Sequence, residues 1–172
     1  GVGKAGFAQE AARMLVDPEN RYASMVDHHT HPDIIWVQRL PKEAPKEGES
    51  ADPDAELKRS IAIDQIRSVQ HSLTTRPSMG PKRVVIIDAA DDLERGGANA
   101  LLKSLEEPPV GTYFMLVSHA SDRLLPTIRS RCQVMRFEAL GDAEMQQALL
   151  QALPQASTSE VDALVRSGRG LP

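Results

Sequence analysis

Apolar residues in this chain alternate between short continuous runs and segments with helical spacing. "DIIWV" (33–37), "RVVIID" (83–88), "YFMLVS" (113–118) and "QVMRF" (133–137) read as strands. The run at 83–88 is β-branched almost throughout, which suits a central strand covered on both faces. Between these runs, "FAQEAARML" places Phe7, Ala11, Met14 and Leu15 on one helical face. "IAIDQIRSVQHSL" does the same with Ile63, Ile66, Val69 and Leu73. "ANALLKSLEEPP" does so with Ala98, Leu101, Leu102 and Leu105 before Pro108-Pro109 ends the helix. Runs alternating with helices predict βαβ units and a largely parallel sheet flanked by helices, an α/β fold. From Glu138 onward the pattern is helical only. Asp142 is placed to cap one helix, and Ser157 with Glu160 has the spacing of a capping box for the next.

Composition changes this picture in a few places. The stretch from Gln38 to Arg59, "QRLPKEAPKEGESADPDAELKR", is rich in Lys, Glu and Pro, and predicts a solvated, mobile loop. The formal net charge of −4 argues against a free-standing nucleic-acid binder, whose footprint is basic, and the Lys-Arg pairs at 58–59 and 82–83 are too short for a DNA groove. The single Cys132 excludes an internal disulfide and a multi-cysteine metal site. It fits a reducing cytoplasm and a small buried apolar role. No run approaches the ~18 apolar residues of a membrane span. The chain starts without Met inside a motif and stops at "SGRGLP", so it is read as part of a longer polypeptide.

The candidate chemistry starts with Gly1-Val2-Gly3-Lys4. Glycines let backbone N–H groups turn toward a phosphate, and Lys4 would sit on it as a point charge. Glycine turns before helices are also common without any ligand. Ala5 stands where a hydroxyl would ligate Mg²⁺. Asp88 ends the second predicted strand, where nucleotide-hydrolysing enzymes hold Mg²⁺, but Ala89 stands where a water-orienting group would follow. The plain alternative makes Asp88 a cap after a strand. Taken together, Gly1, Gly3, Lys4 and Asp88 read as a degenerate phosphate and magnesium site that lacks its reactive groups.

"KRVVIIDAADDLERGGANALLKSLEEPP" followed by "RLLPTIRSRCQVMRF" resembles the clamp-loader branch of the AAA+ superfamily, and in particular the subunits of bacterial DNA polymerase III. The likeness runs from Gly1 almost to the end, with "ANALLKSLEEPP" (98–109) and "TIRSRC" (127–132) its most specific parts. The resemblance implies a P-loop-type αβ domain over 1–138 and the start of a helical lid over 139–172. It also implies a first strand before Gly1 and a C-terminal collar domain, neither of which this sequence holds. It matches Ser130-Arg131-Cys132 to a motif whose arginine, here Arg131, reaches a neighbouring subunit's ATP as a finger in trans. Without the resemblance, Arg131 and Arg129 would read as surface charges pairing with acidic residues, and Arg129 keeps both readings.

The implied function is a non-catalytic clamp-loader subunit of the replicative polymerase holoenzyme in the bacterial cytoplasm, without ATPase or polymerase activity of its own. Its partners would be the ATPase subunits and the delta subunit of the loader, with the sliding clamp and primed DNA met through the assembly and no membrane. No cofactor is required on this reading: ATP binding stays open, and hydrolysis is not expected. Alternatives are an ATP-hydrolysing subunit of the same loader and a standalone AAA+ nucleotide-sensing or DNA-binding module. Many relatives carry a four-cysteine zinc module before the "HPD" matching His31-Pro32-Asp33. Here that region holds His28, His29 and His31 but no cysteine, so zinc is not expected. Ser118 matches a polar sensor position and reads equally as a cap. Trp36 reads as core, and Glu106-Glu107 as interface charge or, more simply, a solvated helix end.

Overall fold

The structure is a computed structural model that describes residues 3–43, 55–153, 155 and 157–168. It divides into two compact units, one of residues 8–133 and one of residues 1–7 with 134–172. Each is taken by itself.

The larger unit is built on a parallel three-stranded sheet, β1 (Ile34–Val37), β2 (Arg83–Asp88) and β3 (Thr112–Val117), in the order β1-β2-β3. Registers run from Ile34 opposite Val84 and from Arg83 opposite Thr112. Because side chains alternate along a strand, β2 serves two cores. Val85 and Ile87 pack with Ile66, Val69, Ala98, Leu101 and Ile128, which come from α3 (Ile63–Ser72), α4 (Arg95–Glu106) and α5 (Pro126–Arg129). Val84 and Ile86 face Ala8, Ala12 and Val26 of α1 (Lys4–Val16) and α2 (Ala23–Asp27). Val84 through Ile87 have no exposed surface, the two-sided burial that the apolar run predicts.

Several sequence expectations are corrected. The buried face of α1 is Ala8 and Ala12, with Leu15 and Val16 beside them, whereas Phe7 is 48% and Met14 62% exposed. Ala8 and Ala12 pack with Val84 and Ile86 in that core, and the larger Phe7 and Met14 stay outside it. "QVMRF" forms no strand: residues 133–140 carry no regular structure, and Val134 and Met135 are exposed. An apolar run is a strand only when a neighbour accepts its backbone bonds, and among the described residues none lies alongside. The loop expected over 38–59 has tied ends, with Pro41 and Leu57 forming an antiparallel bridge and Lys42 ion-paired to Glu56. Its middle, 44–54, lies outside the described residues.

The loop between α3 and β2 is strapped from inside. Asp33, with no exposed surface, accepts the N–H groups of Ser78 and Met79, each at 2.7 Å. Arg83 donates to the carbonyls of Ser72, Thr75 and Arg76 and sits 3.6 Å from Asp33. Gly111 turns the chain into β3 at φ +77°, where an added Cβ would run into the Pro81 carbonyl oxygen.

In the smaller unit α6 (Asp142–Ala152) and α7 (Thr158–Gly168) pack as a helical pair, with Met145 and Val161 buried. The capping box at Ser157 is present, since Glu160 accepts the Ser157 N–H at 2.8 Å. Asp142 is the first residue of α6 rather than its cap. Gly141 holds the cap position, and Glu144 reaches back to accept its N–H at 2.9 Å.

Candidate functional site

The glycine-lysine loop lies in the smaller unit, and its first residue, Gly1, is outside the described residues. Gly3 takes φ +79° with open space where a Cβ would point. Its carbonyl accepts the Phe7 N–H at 2.9 Å, opening α1 directly at Lys4. Lys4 is half-buried, and Ala5 adds no hydroxyl. The local form is that of a turn feeding a helix N-terminus, the arrangement that suits an anion.

Asp88 lies at the carboxyl end of β2 in the larger unit, where open parallel sheets place ligands. It lines an open cleft of about 280 Å³ together with Gln38, Arg39, Leu57, Ala89, Asp92 and His119. The acids after Asp88 are already engaged. Asp92 is paired with Arg39 at 3.1 Å, and Asp91 accepts the His119 N–H at 3.0 and 3.2 Å. Burial pushes the Asp91 carboxyl up, but hydrogen bonds from the Ser118 hydroxyl and the His119 N–H outweigh it and hold the group below its ordinary value. The His119 N–H therefore ties the chain just after β3 to the segment after β2.

Mg²⁺ takes near-octahedral oxygen ligation and is commonly held by one or two carboxylates with waters; of the acids after β2, Asp91 and Asp92 are engaged within the chain. The residue after Asp88 is a buried methyl, Ala89. No step of the function proposed below runs through such an ion.

Arg131 is in the same unit as Asp88 but does not line that cleft. It follows α5, which Pro126 opens at a position where a missing N–H is harmless. Its guanidinium donates through Nη1 to the Thr127 carbonyl at 2.8 Å and to the Ser130 hydroxyl at 3.3 Å. Through Nη2 it meets a Glu106 carboxylate oxygen at 2.5 Å. The side chain keeps about a third of its surface (34%), and that of Glu106 about half (48%). Cys132 packs partly buried against the core beside α4 and α5, and burial pushes its thiol up, so its placement is apolar.

The three histidines do separate structural work. His28 contacts the Ser24 carbonyl through Nδ1 at 2.7 Å, and His29 stacks on Trp36 with centroids 4.0 Å apart. The Nδ1 of His31, in a buried ring, accepts the Asp33 N–H at 3.2 Å. Among the described residues no group of three potential ligands converges on a metal position. Nor is any helix among them long and apolar enough to cross a membrane.

Sequence reasoning missed two features. The Asp91–Ser118–His119 contact joins residues 28 apart, and the Glu106–Arg131 pair joins two corners of the fold. No local pattern marks either. The acidic run "DAADD" was the one visible hint of the first.

The family described as DNA polymerase III, delta subunit, matches residues 1–141. A DNA polymerase III subunit delta′ of Pseudomonas aeruginosa is 32% identical over all of this chain and 51% of its own length. The Escherichia coli subunit delta′ is 35% identical over 66% of this chain and 30% of its own. The chain thus spans about half, or less, of the curated relatives it matches. In fold it is similar to a DNA polymerase III gamma subunit-related protein of Thermotoga maritima, with TM-score 0.51 and 22% identity over 83% of this chain and 47% of that one. It is likewise similar to a mutant RuvB of Thermotoga maritima, with TM-score 0.53 and 14% identity over 98% of this chain and 56% of that one. A parallel sheet flanked by helices, structural neighbours of like fold and a match over residues 1–141 agree: the chain belongs to the DNA polymerase III delta/delta′ subunit family, on an α/β fold.

Proposed function

We propose that this chain is a clamp-loader subunit of bacterial DNA polymerase III that does not hydrolyse ATP itself and supplies Arg131 to the ATP site of a neighbouring subunit. Family membership supports the assembly, and the relatives' names supply the polymerase context. The observation that carries the reading is the contrast between a strand end where the buried methyl of Ala89 follows Asp88 and a partly exposed arginine after α5. A guanidinium cannot lose its proton, and its planar fork matches phosphate oxygens. Placed on a transferring phosphoryl group it accelerates the reaction by ~10³–10⁵.

In this reading residues 1–138 form the nucleotide-binding-like domain, and the lid begins at 139. Gly1, Gly3, Lys4 and Asp88 are the remnant of a phosphate site that needs no bound cofactor for the subunit's task. The partners are the loader's ATPase subunits and its delta subunit, acting on the sliding clamp and primed DNA in the cytoplasm. The test is steady-state ATP turnover by the assembled loader carrying Arg131→Ala. Turnover is expected to fall at least about 100-fold at the site this subunit serves, with folding intact. Unchanged turnover in an intact complex would remove Arg131 from the role.

A further inference from the structure

We propose that Glu106 is the positioning residue for Arg131, holding the guanidinium in the direction from which it meets a triphosphate on a neighbouring subunit. This rests on the role proposed above for Arg131.

Glu106 is the last residue of α4, and Arg131 lies just past α5. A carboxylate at a helix carboxyl end opposes the helix dipole, so Glu106 is poorly placed for the stability of α4. It becomes favourable through Arg131, whose Nη2 lies 2.5 Å from its carboxylate oxygen. The other branch of the same guanidinium, Nη1, is fixed by the Thr127 carbonyl at 2.8 Å and the Ser130 hydroxyl at 3.3 Å. One branch is therefore set by α5 and its end, and the other by α4. Two anchors from different helices define the plane of the group, and a bidentate contact with phosphate depends on that plane.

The pair is also exchangeable. Both side chains keep substantial exposure, and an exposed ion pair of this kind contributes little that a ligand could not replace. A triphosphate, more highly charged than one carboxylate, can take over a share of the Nη2 contact while the Thr127 carbonyl still orients Nη1. Glu106 thus guides the cation without trapping it. The carboxylate touches neither substrate nor reacting atoms, so it acts only through Arg131.

The test is a double-mutant cycle in the assembled loader with ATP, sliding clamp and primed DNA. Glu106→Gln keeps the length of the side chain and an acceptor oxygen but removes the charge. We expect kcat to fall by about tenfold with KM for ATP unchanged, and thermal unfolding of the subunit to match wild type. In the Arg131→Ala background, Glu106→Gln should produce no further fall, because the group it orients is gone. Unaltered kcat in Glu106→Gln beside a strong defect in Arg131→Ala would overturn the role of Glu106 alone. So would two effects that multiply. Unchanged turnover in Arg131→Ala would overturn the finger itself and this inference with it.

Discussion

Two arginine–carboxylate pairs sit at different places in the larger unit. Arg83 and Asp33, beside the amino ends of β2 and β1, are 5% and 0% exposed, while Arg131 and Glu106, at the corner of α4 and α5, are 34% and 48% exposed. Arg83 spends its hydrogens on three carbonyls of one loop, and Asp33 accepts two backbone N–H groups of the same loop. Solvent and ligands do not reach either group. Arg131 has fewer partners and faces solvent. Burial, rather than residue type, separates a strap from a cation available to a ligand. The carboxyl end of β2 lies between the extremes: its acids are exposed enough to reach, yet Asp91 and Asp92 are already committed internally.

Truncating the buried arginine should have the largest effect. Arg83→Ala leaves Asp33 as an uncompensated buried charge and frees three carbonyls, and should cost about 3–5 kcal/mol of stability by urea unfolding. A loss under about 1 kcal/mol, the range of an exposed pair, would make the two pairs equivalent. The turn beside it should be nearly as sensitive. Gly111→Ala forces a side chain into φ +77° and against the Pro81 carbonyl, for an expected loss of about 1–3 kcal/mol by the same measurement.

At the exposed corner, Arg131→Ala and Glu106→Gln should each change stability by no more than about 1 kcal/mol, while turnover in the assembly is expected to fall in both. A large stability loss there would mark Arg131 as a strap like Arg83. The smallest effect concerns acid. Asp91 is depressed in the folded protein relative to its ordinary value of 3.8. Its contribution is therefore present above that value and fades as pH falls through the lower folded one. Asp91→Asn should flatten the loss of stability below about pH 4, as followed by circular dichroism across an acid titration.

Much of the fold is legible in the sequence wherever one physical cause dominates. The β-branched run from Val84 to Ile87 has a single comfortable environment, and β2 appears with the bounds its pattern predicts. Pro108-Pro109 likewise stops α4 at Glu106. Helical spacing misplaces the buried face of α1 in part: Leu15 packs against the core as expected, but Ala8 and Ala12 hold its centre while Phe7 and Met14 stay exposed. Residues 133–137 mislead because strand formation depends on a neighbour that periodicity does not report. At the candidate site, Asp88 and Arg131 stand out through their motifs, and Ala5 and Ala89 through what those motifs lack. What Arg131 touches does not, because its partner Glu106 is far along the chain and reads as helix-end charge.

On the proposed function labour is divided: the subunit's own phosphate site does no chemistry, while Arg131 acts on a neighbour. Magnesium-dependent ATP turnover by the purified full-length subunit, free of its partners, tests that most directly. The account predicts release of phosphate no faster than from ATP in buffer. Sustained turnover that disappears on replacing Lys4 or Asp88 would contradict it.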